Sequence, residues 1–406
     1  MKVAIINSVY NFGSTGKIVS GLHKIIKQNG FESIVIYGRE KKYIKDNTIY
    51  YVSNLIESIL HLLMSRLLDR HGLHSYFTTK KICKILNEQK PDIIHLHNIH
   101  GYYININLLF NFLNEKNIPV IWTLHDCWSF TGHCAYFDKI NCEKWQTECS
   151  KCPQISAYPK SLFFDRSKIN YNLKKQLFNS LKSLYLIGVS EWVNKNLKKS
   201  FLSQIPSDVI YNGVDTSIFY PKHSVEFRIK HKLTDKFVIL SVAKIWEPRK
   251  GLDDLIFLIN SLPENFILLI VGKIIDKPKV KTDKIFFLNE INNQNELADL
   301  YSTSNLFLNL STEDNLPMTI LESLTCGTPV FTYDTGGCSE AIKENYGKVF
   351  NKGDLTSIIK YLNQYYEYYY KKLDTDIINE ITIKYNQDLQ FKKYIDLYIR
   401  AIKLNK

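Results

Sequence analysis

Two carboxylates, Asp314 and Glu322, stand eight positions apart in the segment STEDNLPMTILESLTCGTPVFTYDTGG, residues 311–337. On a helix this spacing puts both side chains on one face, about 80° apart. Pro317 fits the first turn of such a helix, because proline has no N–H to leave unsatisfied there. A buried strand, a glycine pair and a second helix start follow. The segment therefore predicts carboxylates and a glycine turn near helix N-termini, where backbone amides bind phosphate.

Three cations follow another buried strand, which begins at Phe237. They are Lys244, Arg249 and Lys250, and a helix is predicted to begin directly afterwards, at Gly251. In open α/β sheets, ligands bind beyond the carboxyl ends of the strands. The pattern therefore predicts positive charge at a ligand-binding edge of a sheet.

These segments together resemble the donor site of retaining glycosyltransferases of family 4, which have the GT-B fold. The resemblance covers nearly the whole chain, including NGVDTSIFYP at residues 212–221. The family motif is Glu, seven residues, Glu; its first position is Asp314 here, or Glu313 if the loop shifts by one. The resemblance implies that Glu322 holds the ribose hydroxyls of a sugar nucleotide and that Asp314 contacts the transferred sugar.

The resemblance also implies roles for the cations and for the backbone nearby. Lys244 and Lys250, with Arg249 sharing the task, are expected to neutralise the diphosphate leaving group as its negative charge grows. The nucleotide base is expected to be held through backbone after a strand, so UDP and GDP donors are both predicted. The other expected donor-site residues are Glu290, Ile291, Asn315 and Leu316.

A glycine loop, NFGSTGK, follows the first strand and begins a helix. It has neither the P-loop spacing nor the dinucleotide fingerprint. Glycines let the backbone approach a ligand, and a helix N-terminus favours phosphate or a polar sugar. In the resembled family this loop faces a cleft between two domains, beside the donor diphosphate and the acceptor. The residues assigned to it are Gly13, Ser14, Thr15 and Gly16.

Histidines accompany two predicted strands of the N-terminal half. His125 and Asp126 follow VIWTL, and the resemblance implies that His125 touches the donor sugar. We expect His97 and Asp126 on the acceptor side and His95 in the core. In such enzymes the leaving diphosphate is thought to help deprotonate the acceptor hydroxyl. Catalysis is therefore predicted to need no metal and no enzyme nucleophile.

Four cysteines, Cys134, Cys142, Cys149 and Cys152, lie within nineteen residues. Four thiolates can hold a structural Zn²⁺ tetrahedrally, with Cys127 and His133 as spare ligands, although the spacing is not that of a zinc ribbon. The stretch resembles an insert in one branch of bacterial polysaccharide glycosyltransferases, that of colanic-acid and O-antigen enzymes. Free buried thiols or two disulfides are the alternatives.

A chain of 406 residues exceeds one ordinary core, so two domains are expected. Alternating short strands and helices predict an α/β architecture of two Rossmann-like, doubly wound parallel sheets facing across a cleft. We expect an acceptor-side domain over residues 1–211, a donor-binding domain over 212–385, and a final helix, 386–406, that returns to the first domain.

The excess positive charge lies in the N-terminal half. Residues 1–210 hold 27 Lys and Arg against 15 Asp and Glu, whereas residues 211–406 hold 25 of each. Such a field attracts anionic partners. No nucleic-acid-binding motif is present, so anionic lipid headgroups or a polyprenyl-diphosphate-linked acceptor are expected, with a diffuse basic surface as the alternative.

The segment YVSNLIESILHLLMSRLLDR, residues 51–70, carries a wide apolar stripe. It could lie in a membrane interface, but a stripe of this kind more often faces a core, and a core-facing helix is predicted. No run approaches the roughly 20 apolar residues of a membrane span, and the N-terminus does not read as a signal peptide. The expected location is cytoplasmic, either free or peripheral on the inner face of the membrane.

The predicted function is transfer of a hexose-type sugar from a nucleoside diphosphate to a glycan or lipid-linked acceptor during surface polysaccharide synthesis. A sugar-nucleotide epimerase of the same fold is one alternative. A degenerate, non-catalytic nucleotide-sugar-binding protein is the other.

Overall fold

The computed structural model describes residues 1–40, 44–222, 226–275, 278 and 282–404. The chain divides into two compact units. Unit 1 is Met1–Tyr211 with Gln390–Lys406, and unit 2 is Asn212–Leu389. Each unit is built on one parallel sheet.

Unit 1 contains a seven-stranded sheet in the order β3-β2-β1-β4-β5-β6-β7, parallel throughout. Its central strands are nearly continuous apolar runs, as expected for strands covered on both faces. The order reverses between β1 and β4, and ligands bind at such a switch point in open sheets. The strands are β1 Lys2–Asn7, β2 Glu32–Tyr37, β3 Ile49–Tyr51, β4 Ile93–Leu96, β5 Val120–Leu124, β6 Leu184–Gly188 and β7 Ser207–Val209, and the helices are α1 Gly13–Gln28, α2 Leu55–Leu68, α3 Tyr76–Gln89, α4 Ile106–Lys116, α5 Ser167–Phe178 and α6 Glu191–Leu197.

Unit 2 contains a six-stranded parallel sheet in the order β10-β9-β8-β11-β12-β13. Its order reverses between β8 and β11, so the loops after these two strands meet at one edge. The strands are β8 Phe237–Ile245, β9 Phe266–Lys273, β10 Ile285–Leu288, β11 Leu306–Asn309, β12 Val330–Tyr333 and β13 Gly347–Phe350, and the helices are α7 Glu226–Lys230, α8 Leu252–Asn260, α9 Gln294–Thr303, α10 Met318–Thr325, α11 Leu355–Gln364 and α12 Thr375–Tyr385.

The last helix, α13 (Gln387–Leu404), belongs to unit 1 from Gln390 onward. Its buried tyrosines reach the sheet. The Tyr398 hydroxyl hydrogen-bonds to His95 Nδ1 at 2.7 Å, and the Thr123 hydroxyl donates to Tyr394 at 3.0 Å. These polar contacts fix the register of α13 on the sheet in a way that apolar packing alone would not.

Helix α2 contradicts the prediction that its apolar stripe faces a core. Of its residues, all of them described, His61 and Ser65 are the buried ones. His61 Nδ1 hydrogen-bonds to the Ser75 hydroxyl at 2.8 Å, and its Nε2 accepts from the Gly72 N–H at 3.0 Å. The helix turns its polar side inward because that side holds the loop between α2 and α3.

No helix within the described residues combines the length and the apolar character that crossing a bilayer requires.

Candidate functional site

Arg249 holds the loop after β8 to the loop after β11, through both its carbonyl and its side chain. The Thr312 N–H donates to the Arg249 carbonyl at 2.8 Å, and Arg249 Nη1 donates to the Glu313 carbonyl at 3.0 Å. Gly251 has φ +74°, and a Cβ there would lie 2.1 Å from the Leu310 carbonyl oxygen. Only glycine allows this approach, which brings the two loops together at the carboxyl edge of the sheet.

Lys250 and Asp314 form an ion pair at this edge, between Nζ and Oδ2. Their side chains are 18% and 11% exposed, so the pair is largely shielded from water. Burial by itself would raise the pKa of Asp314, but the charges of Lys250 and then Arg249 hold it below its usual value. Asp314 is therefore a carboxylate at neutral pH, and its Oδ1 accepts from the Asn315 N–H at 3.0 Å.

The prediction that Asp314 and Glu322 lie on one helix is wrong. Helix α10 begins at Met318, and Asp314 lies in the loop before it. Pro317 is the N-cap, just before the helix. The Asp314 side chain is instead held by Lys250 and its own loop. The helix predicted after the glycine pair is only a short 3₁₀ turn, Cys338–Ala341.

The glycine pair after β12 packs against the Asp314 loop. Gly336 has φ +55°, and a Cβ there would lie 1.9 Å from the Asp314 carbonyl oxygen. The Gly337 N–H donates to the Asn315 carbonyl at 3.1 Å. The glycines thus shape the carboxylate loop, a role that the sequence pattern did not specify.

Glu322 lies on α10 and accepts a hydrogen bond from the Tyr301 hydroxyl at 3.0 Å on Oε2. Tyr301 is fully buried on α9, and burial, followed by the charge of Glu322, raises its pKa well above the ordinary value. The hydroxyl therefore stays protonated and orients the carboxylate. Sequence reasoning missed Tyr301, because nothing in its local pattern separates it from a core tyrosine.

The other predicted donor-site residues have varied surroundings. Lys244 is half-buried near the end of β8, whereas Asn315 and Leu316 are buried beside Asp314. Glu290 and Ile291 follow β10, the edge strand two places from β8; Glu290 is exposed and Ile291 half-buried.

In unit 1 the glycine loop follows β1, and Gly13, Ser14, Thr15 and Gly16 form the first turn of α1. Gly13 has φ +64°, and the Asn11 N–H donates to the Gly16 carbonyl at 2.9 Å. The N-cap, Phe12, supplies no side-chain hydrogen bond to the helix end. The first turn of α1 thus lies in the loop that follows β1.

A pair of histidines lies at the carboxyl edge of the same sheet. His97 Nδ1 and His125 Nε2 are 2.9 Å apart, and the two rings stack. Burial lowers the pKa of His125 to about 4 and that of His97 well below its usual value. Both rings are neutral at pH 7 and hold each other in place. His95 is fully buried in the core, as predicted.

Asp126 pairs with His100, which lies three residues after His97 in the loop that follows β4. Asp126 Oδ2 lies 2.9 Å from His100 Nε2, while His100 Nδ1 lies 3.0 Å from the Tyr158 hydroxyl. The Trp128 N–H donates to Asp126 Oδ1 at 2.9 Å. Burial opposes ionisation, but His100 lowers the pKa of Asp126. The arrangement is a carboxylate, an imidazole and a phenol in series.

The structure does not support the predicted zinc site. Cys134, Cys142, Cys149 and Cys152 line one small cavity, but no three His, Cys, Asp or Glu residues in the described ranges are placed to hold a metal ion. The thiols of Cys134 and Cys152 hydrogen-bond to each other, which raises the pKa of Cys134. Cys149 accepts from the Gly132 N–H at 3.2 Å. All eight cysteines are free thiols, which contradicts the alternative of two disulfides. Bound Zn²⁺ at the four cysteines of the loop stays a prediction.

Two buried side chains fasten this cysteine loop. His133 Nδ1 lies 2.6 Å from Asp69 Oδ1 at the end of α2. Lys174 of α5 donates to the carbonyls of Trp128 and Thr131 at 2.7 and 3.1 Å, and its Nζ lies 3.5 Å from the Trp128 ring centre. Burial lowers the pKa of Lys174 to about 7. The loop that follows His125 is therefore held by contacts from two helices.

The chain is similar in sequence to known glycosyltransferases. Residues 19–218 match the family Glycosyltransferase Family 4, and residues 224–384 match the family Glycosyl transferases group 1. WcaC of Escherichia coli K12, named as a colanic acid biosynthesis glycosyl transferase, is 27% identical over 216 residues, 50% of this chain and 52% of WcaC. The match thus spans about half the length of that relative.

Two solved structures are similar over nearly the whole chain. Sucrose-phosphate synthase from Thermosynechococcus elongatus has a TM-score of 0.73 at 15% identity, covering 99% of both chains. HepE of Anabaena, solved with UDP and with UDP-glucose, has a TM-score of 0.68 at 14% identity, covering 98% of this chain and 99% of its own. At these identities the likeness shows the fold, and the GT-B prediction is confirmed.

Proposed function

Because the chain carries a Glycosyltransferase Family 4 domain followed by a Glycosyl transferases group 1 domain, we propose that it transfers a hexose-type sugar with retention of configuration. The donor is a nucleoside diphosphate sugar. The acceptor is a glycan or a polyprenyl-diphosphate-linked glycan of surface polysaccharide synthesis, reached at the cytoplasmic face of a membrane. The relationship to WcaC supports the acceptor class, and the UDP and UDP-glucose complexes of HepE make UDP the first base to test.

The observation that carries the proposal is the Lys250–Asp314 ion pair at the carboxyl edge of the unit 2 sheet. An ammonium has three donors, so Lys250 can hold Asp314 and still donate to a phosphate oxygen. Its charge is already positioned when negative charge grows on the leaving diphosphate. Asp314 remains ionised and can accept from a sugar hydroxyl, while Glu322, oriented by Tyr301, can accept from ribose hydroxyls.

In the proposed reaction, the bond between the anomeric carbon and the diphosphate oxygen breaks, and the diphosphate leaves with the electron pair. The acceptor oxygen bonds to that carbon on the same face, and its proton passes to the leaving diphosphate. Asp126, whose carboxylate is held by His100 and by the Trp128 N–H, can accept from the acceptor hydroxyl. These steps use charge and hydrogen bonds of the chain and assign no role to a metal.

The test compares Lys250→Ala with Lys343→Ala, a lysine of the same unit in an exposed ion pair with Glu380. Lys250→Ala should lower kcat about 10- to 100-fold, because the charge acts mainly in the transition state. Lys343→Ala should leave turnover unchanged. An unaltered kcat for Lys250→Ala, or equal losses in both variants, would contradict the assignment.

Product analysis separates this proposal from its alternatives. NMR of the product should show a new glycosidic bond with the anomeric configuration of the donor. An epimerised sugar nucleotide formed without acceptor would favour the epimerase, and tight nucleotide binding without turnover would favour the non-catalytic protein. Neither alternative is favoured by the sequence relationships. Brief treatment with EDTA should leave turnover intact, and a loss restored by Mg²⁺ or Mn²⁺ would refute the metal-free step.

A further inference from the structure

Helix α2 presents a continuous apolar face to solvent. Six of its residues are exposed and apolar, and at 100° per residue they span an arc of about 140°. The exposed fractions are Leu55 74%, Ile56 69%, Ile59 48%, Leu60 49%, Leu63 46% and Leu67 38%. Scattered surface leucines are ordinary, but an aligned set on one helix marks an interaction surface.

The orientation of α2 is fixed by polar contacts on its opposite side. His61 is fully buried and hydrogen-bonded through both ring nitrogens, to Ser75 and to the Gly72 N–H. Rotating the helix to bury its apolar face would break both bonds and leave a buried loop amide without its acceptor. A buried polar group left without a hydrogen-bond partner is strongly destabilising. The fold of unit 1 therefore fixes these apolar residues in their exposed position.

Further exposed aromatic residues adjoin both ends of α2. At its start, Glu57 Oε1 accepts from the Phe77 N–H at 2.8 Å, and Phe77 is 73% exposed. At its end, the Leu162 N–H donates to the Arg66 carbonyl at 2.7 Å, and Phe163 is 74% exposed. We call the six α2 residues together with Phe77 and Phe163 the apolar face.

The rim of the apolar face is cationic. Residues 51–84 contain five cations, of which Arg66, Lys80, Lys81 and Lys84 are exposed, against two carboxylates. Of these cations, Lys84 pairs with Glu88, one turn further along α3. Both carboxylates are occupied: Glu57 accepts from backbone amides at the start of α3, and Asp69 is buried against His133. The charge presented beside the apolar residues is therefore positive.

We propose that the apolar face docks on an anionic lipid bilayer, with α2 lying in the plane of the interface. The helix is about 21 Å long, which suits an interfacial rather than a spanning position. Cations beside an interfacial helix bind acidic headgroups. A second copy of the same face is a poor occupant, because pairing two such faces would bring two cationic rims together.

This inference goes beyond the proposed function and does not depend on it, because vesicle binding is measured without donor or acceptor. The purified full-length chain is sedimented with vesicles of phosphatidylcholine alone or mixed with phosphatidylglycerol. Binding should be strong for the mixed vesicles and weak for the neutral ones. Equal binding to both, or binding to neither, would overturn the proposal.

Two sets of variants locate the binding surface. The double variant Ile59→Ser, Leu63→Ser should weaken binding to mixed vesicles more than ten-fold, since each change removes an apolar side chain. The matched control is Phe257→Ser, Ile383→Ser, two positions of unit 2 that are 57% and 68% exposed, and it should bind like the wild type. Equal losses in both variants would contradict the assignment.

The charge contribution is tested with Lys80→Gln and Lys81→Gln, each of which should weaken binding about five-fold. All these positions are exposed, so thermal denaturation should confirm an unchanged fold. A concentration-dependent dimer that Ile59→Ser, Leu63→Ser abolishes, without any vesicle binding, would identify a second copy as the occupant and refute the bilayer.

Discussion

A contribution to stability does not by itself account for the Lys250–Asp314 ion pair. A largely buried ion pair is weak support for a fold, because desolvation offsets most of the attraction. In the proposed function, the pair keeps a cation and an anion fixed where the donor binds. The two glycines at 251 and 336 serve the same end, since each lets the backbone of a neighbouring loop approach.

The hydrogen bond between Tyr301 and Glu322 gives a prediction at the scale of single residues. Glu322→Gln should lower kcat/KM for the donor about 10- to 150-fold, because a charge-assisted hydrogen bond to a donor hydroxyl is lost. Tyr301→Phe should lower it about 2- to 10-fold, because the carboxylate remains but loses its orientation. Isothermal titration with the nucleotide and steady-state kinetics measure both effects.

Tyr333→Phe is the matched control, because the Tyr333 hydroxyl donates to Asp254 at 2.8 Å in the same unit. It removes a similar bond without touching Glu322, so donor binding should stay at the wild-type level. Identical donor affinities for all three variants would remove Glu322 from the donor site.

Sequence reasoning at this scale identified charged residues but few of their partners. Lys250 and Asp314 were both singled out, although the helix that was to align Asp314 with Glu322 does not include Asp314. Tyr301, 21 positions before Glu322, and Tyr158, 58 positions after His100, were missed. Contacts over such separations depend on how loops return to the sheet, which residue spacing does not encode.

At the scale of elements, the contact between His133 and Asp69 joins the cysteine loop to the end of α2. Both side chains are buried. Burial lowers the pKa of His133, but the hydrogen bond and charge of Asp69 outweigh it, so the pKa is raised overall. Because this pKa is raised, the pair stabilises the folded protein fully at pH values below the pKa of an unfolded histidine, about 6.5. The stabilisation is lost as the pH rises through the pKa of His133 in the folded protein.

Asp69→Asn should therefore destabilise the protein most at about pH 6, by roughly 3–5 kcal/mol, and progressively less toward higher pH. Chemical denaturation of wild type and variant between pH 6 and 9 measures the difference. Glu148→Gln, which breaks the exposed pair with Lys168 nearby, should change stability little. A destabilisation by Asp69→Asn that is constant with pH would show that the charge on His133 is not involved.

The strands were predictable because a buried parallel strand is a short apolar run between breakers. The predicted strand VIWTL matches β5, Val120–Leu124, residue for residue, and the strand predicted to begin at Phe237 is β8. The edge strands β3 and β13 were missed, since they are only three and four residues long. The prediction that the apolar stripe of α2 faces the core was wrong. Periodicity shows that a helix has an apolar stripe, but it does not show which side of the helix the rest of the unit covers.

At the scale of the whole molecule, buried neutral histidines should make the fold sensitive to acid. Burial lowers the pKa of His61 and His95 to about 3 and that of His125 to about 4. The unfolded chain binds protons near 6.5, so stability falls as pH drops below that value. Among the described histidines, His133 acts in the opposite direction.

The free energy of unfolding should accordingly be lower at pH 5 than at pH 7.5, by on the order of 1–2 kcal/mol for each fully buried histidine. Denaturant titrations at the two pH values test this, and His95→Gln should show a shallower dependence than wild type. Stability that is equal or greater at pH 5 would mean that these rings are protonated in the folded protein.

The contribution of α13 to unit 1 has a consequence for biosynthesis. Residues 1–211 emerge from the ribosome first. However, His95 and Thr123 hydrogen-bond to the hydroxyls of Tyr398 and Tyr394, which are made last. At about 5–20 residues per second, roughly 10–40 s pass while unit 2 is made. Throughout that interval the nascent first sheet lacks part of its cover, so it is a natural client for chaperones that shield exposed apolar surface.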